Sequence, residues 1–379
     1  FSCTYSDLAG NAIASAITSA SSGDIDIDNT HPTSTTAVES VNGDGDANDG
    51  DLFTVTLNPS EVVGTPVCTF TDTSGAMDDT SVTYATTSVD SHTATVTVHN
   101  SDADGAIGFS CTYSDLAGNA IASAITTASS GDIDIDNTHP SISSVEADWG
   151  AYLNAAEDNS DGTITVITSG AENGEVVTIT GMGFTDTCTI QSNTCDATIL
   201  ANDLQGLSSG TTYTITVNVD DTAGNAATAD TGDTFIYDNV LPTIGISTVA
   251  TDGYVNGDED SSFTITGTSV GAVGQDVTVT YGGVTDTDTV TVDGAGAWTV
   301  TFCDDEDCSG ISDGMIAVTA TVDDAAGNSA DPASSNAIQD TSDPTTTVTI
   351  NTFSADTGSS STDWITKTAG GNVDADLST

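Results

Sequence analysis

The sequence predicts an all-β chain built of tandem sandwich domains. Three observations carry that prediction: a composition rich in Thr, Val, Ser, Asp and Gly, a repeat of about a hundred residues, and apolar alternation with a period of two. Thr and Val favour half-buried strands, and Gly, Asp and Asn favour the turns between them. Long helices draw on Leu, Lys, Glu and Arg, which are scarce here. At 379 residues the chain allows two to four domains.

The repeat is nearly verbatim at one place. Residues 109–140 restate residues 1–32 with a single change, Ser19 against Thr127. Weaker versions follow at 213–242 and 316–344, and the closing prolines Pro32, Pro140, Pro242 and Pro344 stand 108, 102 and 102 residues apart. A unit of that size matches a β-sandwich domain. The predicted organisation is therefore the C-terminal part of a domain at 1–32, whole domains at 33–140, 141–242 and 243–344, and the N-terminal part of another at 345–379. A segment cut from a longer array accounts for both partial units; completion of the ends by another chain is the alternative.

Within each unit the strands follow from alternation. Phe109, Cys111 and Tyr113 share one face while Ser110, Thr112 and Ser114 share the other, and the same pattern runs through Tyr213, Ile215, Val217 and Val219 and through Ile316, Val318, Ala320 and Val322. Period two with one apolar face is a strand in a sheet solvated on its other side. Further strands are predicted at 52–58, 66–72, 92–99, 163–168, 175–180, 263–268, 276–281 and 297–302, giving about seven per unit. Each alternating block runs into Asp-x-Ala-Gly-Asn, at Asp7–Asn11, Asp115–Asn119, Asp221–Asn225 and Asp324–Asn328. Gly and Asn tolerate positive φ, so this motif predicts a tight reversal before the last strand.

The charge excludes several functions. Against 57 acidic side chains there is 1 base, Lys367, for a net charge of −56. Such a chain cannot neutralise phosphates, which excludes nucleic acid, and an anionic membrane surface repels it. No apolar run is long enough to span a bilayer. Carboxylates this dense repel one another at low ionic strength, so the composition points to a saline exterior where screening is strong.

The seven cysteines fall into pairs with one left over. Cys68 and Cys111 each lie on the apolar face of a strand in the 33–140 unit. Cys188 and Cys195 bracket one polar turn, and Cys303 and Cys308 another. Cys3 is the counterpart of Cys111, with its partner expected in the front of its own unit. Disulfides in an oxidising, extracellular place fit this arrangement better than zinc, because no His stands at ligand spacing.

The sequence resembles the tandem immunoglobulin-like repeats of giant prokaryotic surface proteins: biofilm-associated and RTX-type adhesins and archaeal S-layer proteins. The residues that carry the likeness are the Asp-Asp-Ala-Ala-Gly-Asn run at 323–328, the stretch 251–283, and a Tyr-x-Asn-x-x-Glu-Asp pattern at Tyr152, Asn154, Glu157, Asp158 and again at Tyr254, Asn256, Glu259, Asp260. The resemblance implies immunoglobulin-like β-sandwich domains arranged end to end and stiffened by calcium. The 33–140 unit departs from the pattern at its front, where an aspartate-rich loop stands in place of Tyr-x-Asn.

Three constellations are candidate calcium sites. Alternating Asp and Gly at Asp44, Asp46, Asn48, Asp49 and Asp51 let carboxylates and carbonyls fold around a hard cation that takes six to eight oxygens. The clusters at Asn154, Glu157, Asp158 and at Asn256, Asp258, Glu259, Asp260 stand early in their units, where, as the resemblance to calcium-rigidified adhesin repeats implies, an ion would bridge two domains. The acidic row Asp132, Asp134, Asp136, repeated from Asp24, Asp26, Asp28, either meets such an ion or simply keeps an edge strand from pairing. The plainer alternative throughout is turn and solvation chemistry.

Catalysis finds no support: His31, His92, His99 and His139 accompany no nucleophile elbow or metalloprotease helix. The tryptophans Trp149, Trp298 and Trp364 suit core or interface packing. The functional expectation is a non-enzymatic extracellular structural protein, an S-layer lattice or surface filament, with copies of itself as partners. The alternative is the stalk of a giant adhesin, which holds a ligand-binding domain outside this segment away from the cell.

Overall fold

The computed structural model describes residues 2–16, 18, 27–41, 46–88, 91–230, 233–286, 288–304, 307–345, 347–353 and 373–378. It is built almost wholly of β-strands, in tandem immunoglobulin-like sandwiches. The chain divides into two compact units, one comprising Phe1–Asp148, Asp161–Asp203 and Tyr213–Thr234, the other Trp149–Ser160, Leu204–Thr212 and Phe235–Thr379.

In the first unit, a four-stranded sheet runs in the order Ser34–Ser40, Leu52–Pro59, Ser91–Thr97, Thr83–Ser88. Its central strand shows why the alternation works: Phe53, Val55 and Leu57 are buried, and Thr54 and Thr56 stand on the opposite face. On that face Thr54 and Thr95 are cross-strand neighbours with hydroxyls 2.9 Å apart, a pairing that suits half-buried Thr. Val67–Thr71 and Gly108–Thr112 form an antiparallel pair. Phe70, Cys68, Phe109 and Cys111 on this pair join Phe53, Val55, Leu57 and Ile135 in one core. The same unit holds the antiparallel sheet Thr194–Ile199, Gly162–Ser169, Ser141–Ala147 and the sheet Asp186–Thr189, Val176–Thr180, Thr216–Asn218.

In the second unit, Thr243–Val249, Phe263–Val270 and Ala297–Phe302 form one sheet. A larger sheet comprises Tyr254–Asn256, Ala333–Asp340, Gly314–Val322, Asp276–Tyr281 and Val284–Thr285, with Val290–Thr291 paired to Asp276–Tyr281. Phe263, Tyr281 and Phe302 meet at centroid distances of 5.0 to 5.9 Å, within the range of favourable aromatic pairs. Trp298 is buried against Gly267, where an added Cβ would lie 2.1 Å from both the indole and the Gly245 carbonyl oxygen. Gly267→Ala is expected to cost about 2 kcal/mol by overpacking, read as a lower melting temperature with loss of Trp298 near-ultraviolet dichroism. An unchanged melting curve would contradict this packing. Trp149 packs edge-on to Phe235 at 5.3 Å, so both described tryptophans are core residues, while Trp364 lies outside the described residues.

Disulfides join Cys68 to Cys111, Cys188 to Cys195 and Cys303 to Cys308, and Cys3 is free and exposed. Cys68 and Cys111 sit directly opposite each other in register. That follows from both lying on inward-facing positions of adjacent antiparallel strands.

Candidate functional site: the repeat junctions

The Asp-x-Ala-Gly-Asn motif forms the expected reversal, with its glycine in the left-handed region at Gly118 (φ 96°), Gly224 (φ 90°) and Gly327 (φ 87°). The motif is held from within. Asp221 accepts from the Asn225 backbone N–H at 2.8 Å and from Asn225 Nδ2 at 3.0 Å, and Asp115–Asn119 and Asp324–Asn328 repeat this arrangement.

The asparagine also does something the sequence did not announce. Asn119 Nδ2 donates to the Asp28 carbonyl at 3.0 Å, Asn225 Nδ2 to the Asp136 carbonyl at 2.8 Å, and Asn328 Nδ2 to the Asp238 carbonyl at 2.8 Å. In each case the acceptor ends the preceding repeat, four residues before its closing proline. One residue after the asparagine, the Ala120 carbonyl lies 2.7 Å from His31 Nδ1, and the Ala226 carbonyl 2.9 Å from His139 Nδ1. Leu241 stands at the corresponding position before Pro242. The histidines before the boundary prolines are thus clasps on the following repeat.

A second strap reaches the same loop from the front of the preceding repeat. Asn154 Nδ2 donates to the Ala326 carbonyl at 3.1 Å, and the Ala155 N–H donates to Asn328 Oδ1 at 2.8 Å. Asn48 Nδ2 lies 3.3 Å from where a Cβ on Gly224 would stand, the counterpart of Asn154 beside Gly327. The two asparagines are structurally equivalent. Leu153 pairs in parallel with Tyr237, and Ala47 with Ile135, each two residues before the asparagine that follows the boundary aspartate. The aspartate-rich front of the 33–140 repeat therefore keeps the asparagine of the pattern, which a Tyr-x-Asn template misses because Asp46 occupies the tyrosine position.

These geometries place the predicted ligands. The carboxylate three residues after each asparagine accepts its backbone N–H: Asp51 from Asn48 at 3.1 Å, Glu157 from Asn154 at 3.0 Å, and Glu259 from Asn256 at 3.3 Å. Asn256 also gives its side-chain amide to Glu259 at 2.7 Å, and its Oδ1 accepts from the Asp258 N–H. The Asp260 N–H bonds the Asn256 carbonyl. Asp158 turns inward, buried, and accepts from the Tyr237 hydroxyl at 2.7 Å. Asp49 accepts from the Asn100 N–H at 2.9 Å, and Asp46 from the Asp134 N–H at 3.3 Å, so Asp46 and Asp134 are neighbours. Asp44 lies outside the described residues.

Among the described residues, the oxygen cluster that forms lies at the junction itself. One carboxylate oxygen each from Asp28, Glu61 and Asp115 lie within 4.8 Å of one another. Burial pushes the Asp115 carboxyl up, but hydrogen bonds from Asn119, Gly118 and Ala117 outweigh it and hold it below the usual range. Asp136, Asp221 and Glu172 are the counterparts at the next junction. There Asp136 is raised: burial lifts it, the Thr138 N–H pulls it down, and repulsion from Asp221, Asp104 and Glu172 adds to the lift. Gly170 packs on Pro140 as Gly271 packs on Pro242, which sets Val273 in the place of Glu172. The Asp238–Asp324 junction accordingly lacks the glutamate.

A raised carboxyl sets the sign of a pH effect. Asp136 destabilises the folded chain once pH exceeds its unfolded value, and that penalty is relieved as pH falls into and just above the carboxylate range. With divalent ions chelated, Asp136→Asn is expected to raise the melting temperature at pH 7 by one or two degrees and to leave it unchanged near pH 4. An equal shift at both pH values would contradict the repulsion.

No protein-family model matches the chain, and no curated protein sequence matches it. Among solved structures it is similar to a segment of a 1.5-MDa bacterial ice-binding adhesin, at 23% identity over 82% of this chain and 98% of that one, with a TM-score of 0.38. A Ca2+-stabilised adhesin with which an Antarctic bacterium binds ice is 23% identical over 86% of this chain and 78% of its own, with a TM-score of 0.36. An I-band fragment of titin is 10% identical over 83% of this chain and 99% of its own, with a TM-score of 0.39.

Proposed function

We propose that the chain is a spacer from the stalk of a large prokaryotic cell-surface adhesin, its modules set end to end at 33–140, 141–242 and 243–344 and its junctions tightened by calcium. The observation that carries this reading is the junction repeated three times: an Asp-x-Ala-Gly-Asn loop whose asparagine grips the main chain at the end of the preceding repeat. A lattice needs lateral contacts between copies, and a net charge of −56 opposes those. The recurring contacts run along the chain instead. No helix among the described residues is long and apolar enough to cross a membrane, and three disulfides suit an oxidising exterior.

Calcium fits the donors at Asp28, Glu61 and Asp115, which are hard oxygens converging without a basic partner; the only base, Lys367, lies outside the described residues. Burial first raises Asp136, and a divalent ion would cancel the carboxylate repulsion that adds to it. Asp46, Asn48, Asp49, Asp51, Asp134, Asn154, Glu157, Asp158, Asn256, Asp258, Glu259 and Asp260 then serve around the junctions as caps and straps. At ten to a hundred times its Kd, each bound ion adds about 1.4 to 2.7 kcal/mol. Calcium is therefore expected to raise the melting temperature and lengthen the chain in solution scattering, and EDTA to reverse both. Asp115→Asn should abolish the increment from the first junction. Identical curves with calcium and with EDTA would end the calcium reading.

The stalk is tested in the full surface protein. Deleting residues 33–242 should preserve ligand binding by distal domains and shorten the fibre seen by electron microscopy. Loss of an ordered surface array on deletion would favour the lattice instead.

A further inference from the structure

The junctions closing at Pro140 and at Pro242 share their clasps but not their charge. Asn225 Nδ2 holds the Asp136 carbonyl at 2.8 Å, and Asn328 Nδ2 holds the Asp238 carbonyl at the same distance. Around those clasps, acidic positions of the Pro140 junction become neutral at the Pro242 junction. The Asn137 N–H donates to Asp104 Oδ1 at 2.8 Å, whereas the equivalent Asn239 N–H donates to Ser209 Oγ at 3.3 Å. The loop that packs on the proline reads Gly-Ala-Glu-Asn-Gly at 170–174 and Gly-Ala-Val-Gly at 271–274, shorter and without its carboxylate. Glu175 gives way to Gln275 in the same backbone setting: the Ile190 N–H donates to the Glu175 carbonyl and the Val292 N–H to the Gln275 carbonyl, both at 2.9 Å.

The extra charges meet across the Pro140 junction. Asp104 and Asp136 belong to the preceding repeat, and Glu172, Glu175 and Asp221 to the following one. Glu172 is held over the turn by the Thr222 N–H, which donates to its Oε2 at 3.1 Å. Burial first raises the Asp136 carboxyl, the Thr138 N–H draws it back, and repulsion from Asp221, Asp104 and Glu172 raises it further. Beside this group Asn48, Asp51, Glu175, Asp220 and Asp221 line a cleft of about 560 Å³. The chain has no arginine and only Lys367 to balance these acids, and that lysine lies outside the described residues.

We propose that the Pro140 junction is a salt-dependent joint, loosened when mobile ions are withdrawn, and that the Pro242 junction is indifferent to them. Clasps and carboxylates act in opposite directions at the first joint. Asn225 and His139 draw the two repeats together through main-chain carbonyls, and the acids push them apart unless salt screens them. Ions entering the cleft weaken the push and leave the hydrogen bonds unchanged. At the second joint the Asn328 clasp is joined by the Asn154 strap on the Ala326 carbonyl at 3.1 Å. Ser209, Val273 and Gln275 add no charge there. In dilute media bending therefore concentrates at the Pro140 joint, and concentrated salt removes it. The effect depends on charge alone and on no bound metal, so it stands apart from the calcium reading.

The test digests the full chain briefly with proteinase K, EDTA present throughout, and maps the cuts by mass spectrometry. Sodium chloride is set at about 0.01 M and about 1 M, where the screening length is about 30 Å and about 3 Å. Cutting within 137–141, measured against cutting within 239–243 in the same sample, should be about fivefold or more higher at low salt. Taking the ratio cancels the protease's own response to salt. Asp104→Asn with Glu172→Gln keeps both acceptor oxygens and removes the charges, and should bring the low-salt ratio down to the high-salt one. A ratio that does not move with salt overturns the proposal, as does one that moves as much in the double variant. If the ratio falls with sodium chloride while melting curves with calcium and with EDTA coincide, the calcium reading fails and the joint remains.

Discussion

Replacing Cys68 and Cys111 together by serine is expected to cost the 33–140 repeat about 4 kcal/mol, the chain-entropy value for a closed loop of the 43-residue separation between them. The bond joins the inner faces of two adjacent strands beside Phe53 and Phe70, whose rings meet edge to face at 5.9 Å. Losing it frees the unfolded chain and leaves two small polar groups in that core. The loss should be local. Amide exchange should accelerate in Leu52–Pro59 and Val67–Thr71 while Phe263–Val270, in the other unit, keeps its protection. Uniform protection in both strands would mean that the disulfide contributes nothing to this core.

The second large effect belongs to the junction. Asn225→Ala removes three donations from Nδ2: two to the buried Asp221 carboxylate, at 3.0 and 3.3 Å, and one to the Asp136 carbonyl at 2.8 Å. Stranding a buried carboxylate oxygen and a carbonyl is expected to cost about 3 kcal/mol. Asn11→Ala supplies the control within the same chain, because Asn11 has the same internal bonds on an exposed loop and should cost about 0.5 kcal/mol or less. The Asn225 variant should also be cut faster by protease between residues 137 and 141. Equal melting temperatures for the Asn11 and Asn225 variants would remove the clasp from the account.

The strands were legible because their chemistry is local. Phe53, Val55 and Leu57 alternate with Thr54 and Thr56, and that pattern alone fixes which face is buried. The cysteine pairs were legible for the same reason, since Cys68 and Cys111 each announce an inward-facing position. The turn at Asp221–Asn225 could be read from its glycine, yet the junction could not. Its partners lie 89 to 91 residues apart, and the acceptor is a main-chain carbonyl that no side chain advertises. Glu61 and Glu172 went unremarked because one carboxylate among 57 has no local signature. The available signal was the near-constant distance between each boundary aspartate and the asparagine of the next loop.

That choice of acceptor has an evolutionary side. A carbonyl oxygen is present at every position whatever residue occupies it, so Asn119, Asn225 and Asn328 make no demand on the identity of the residue they hold. Repeats can then be duplicated, lost or grafted beside new neighbours without a compensating substitution at the seam, and the reach of the array becomes a matter of copy number.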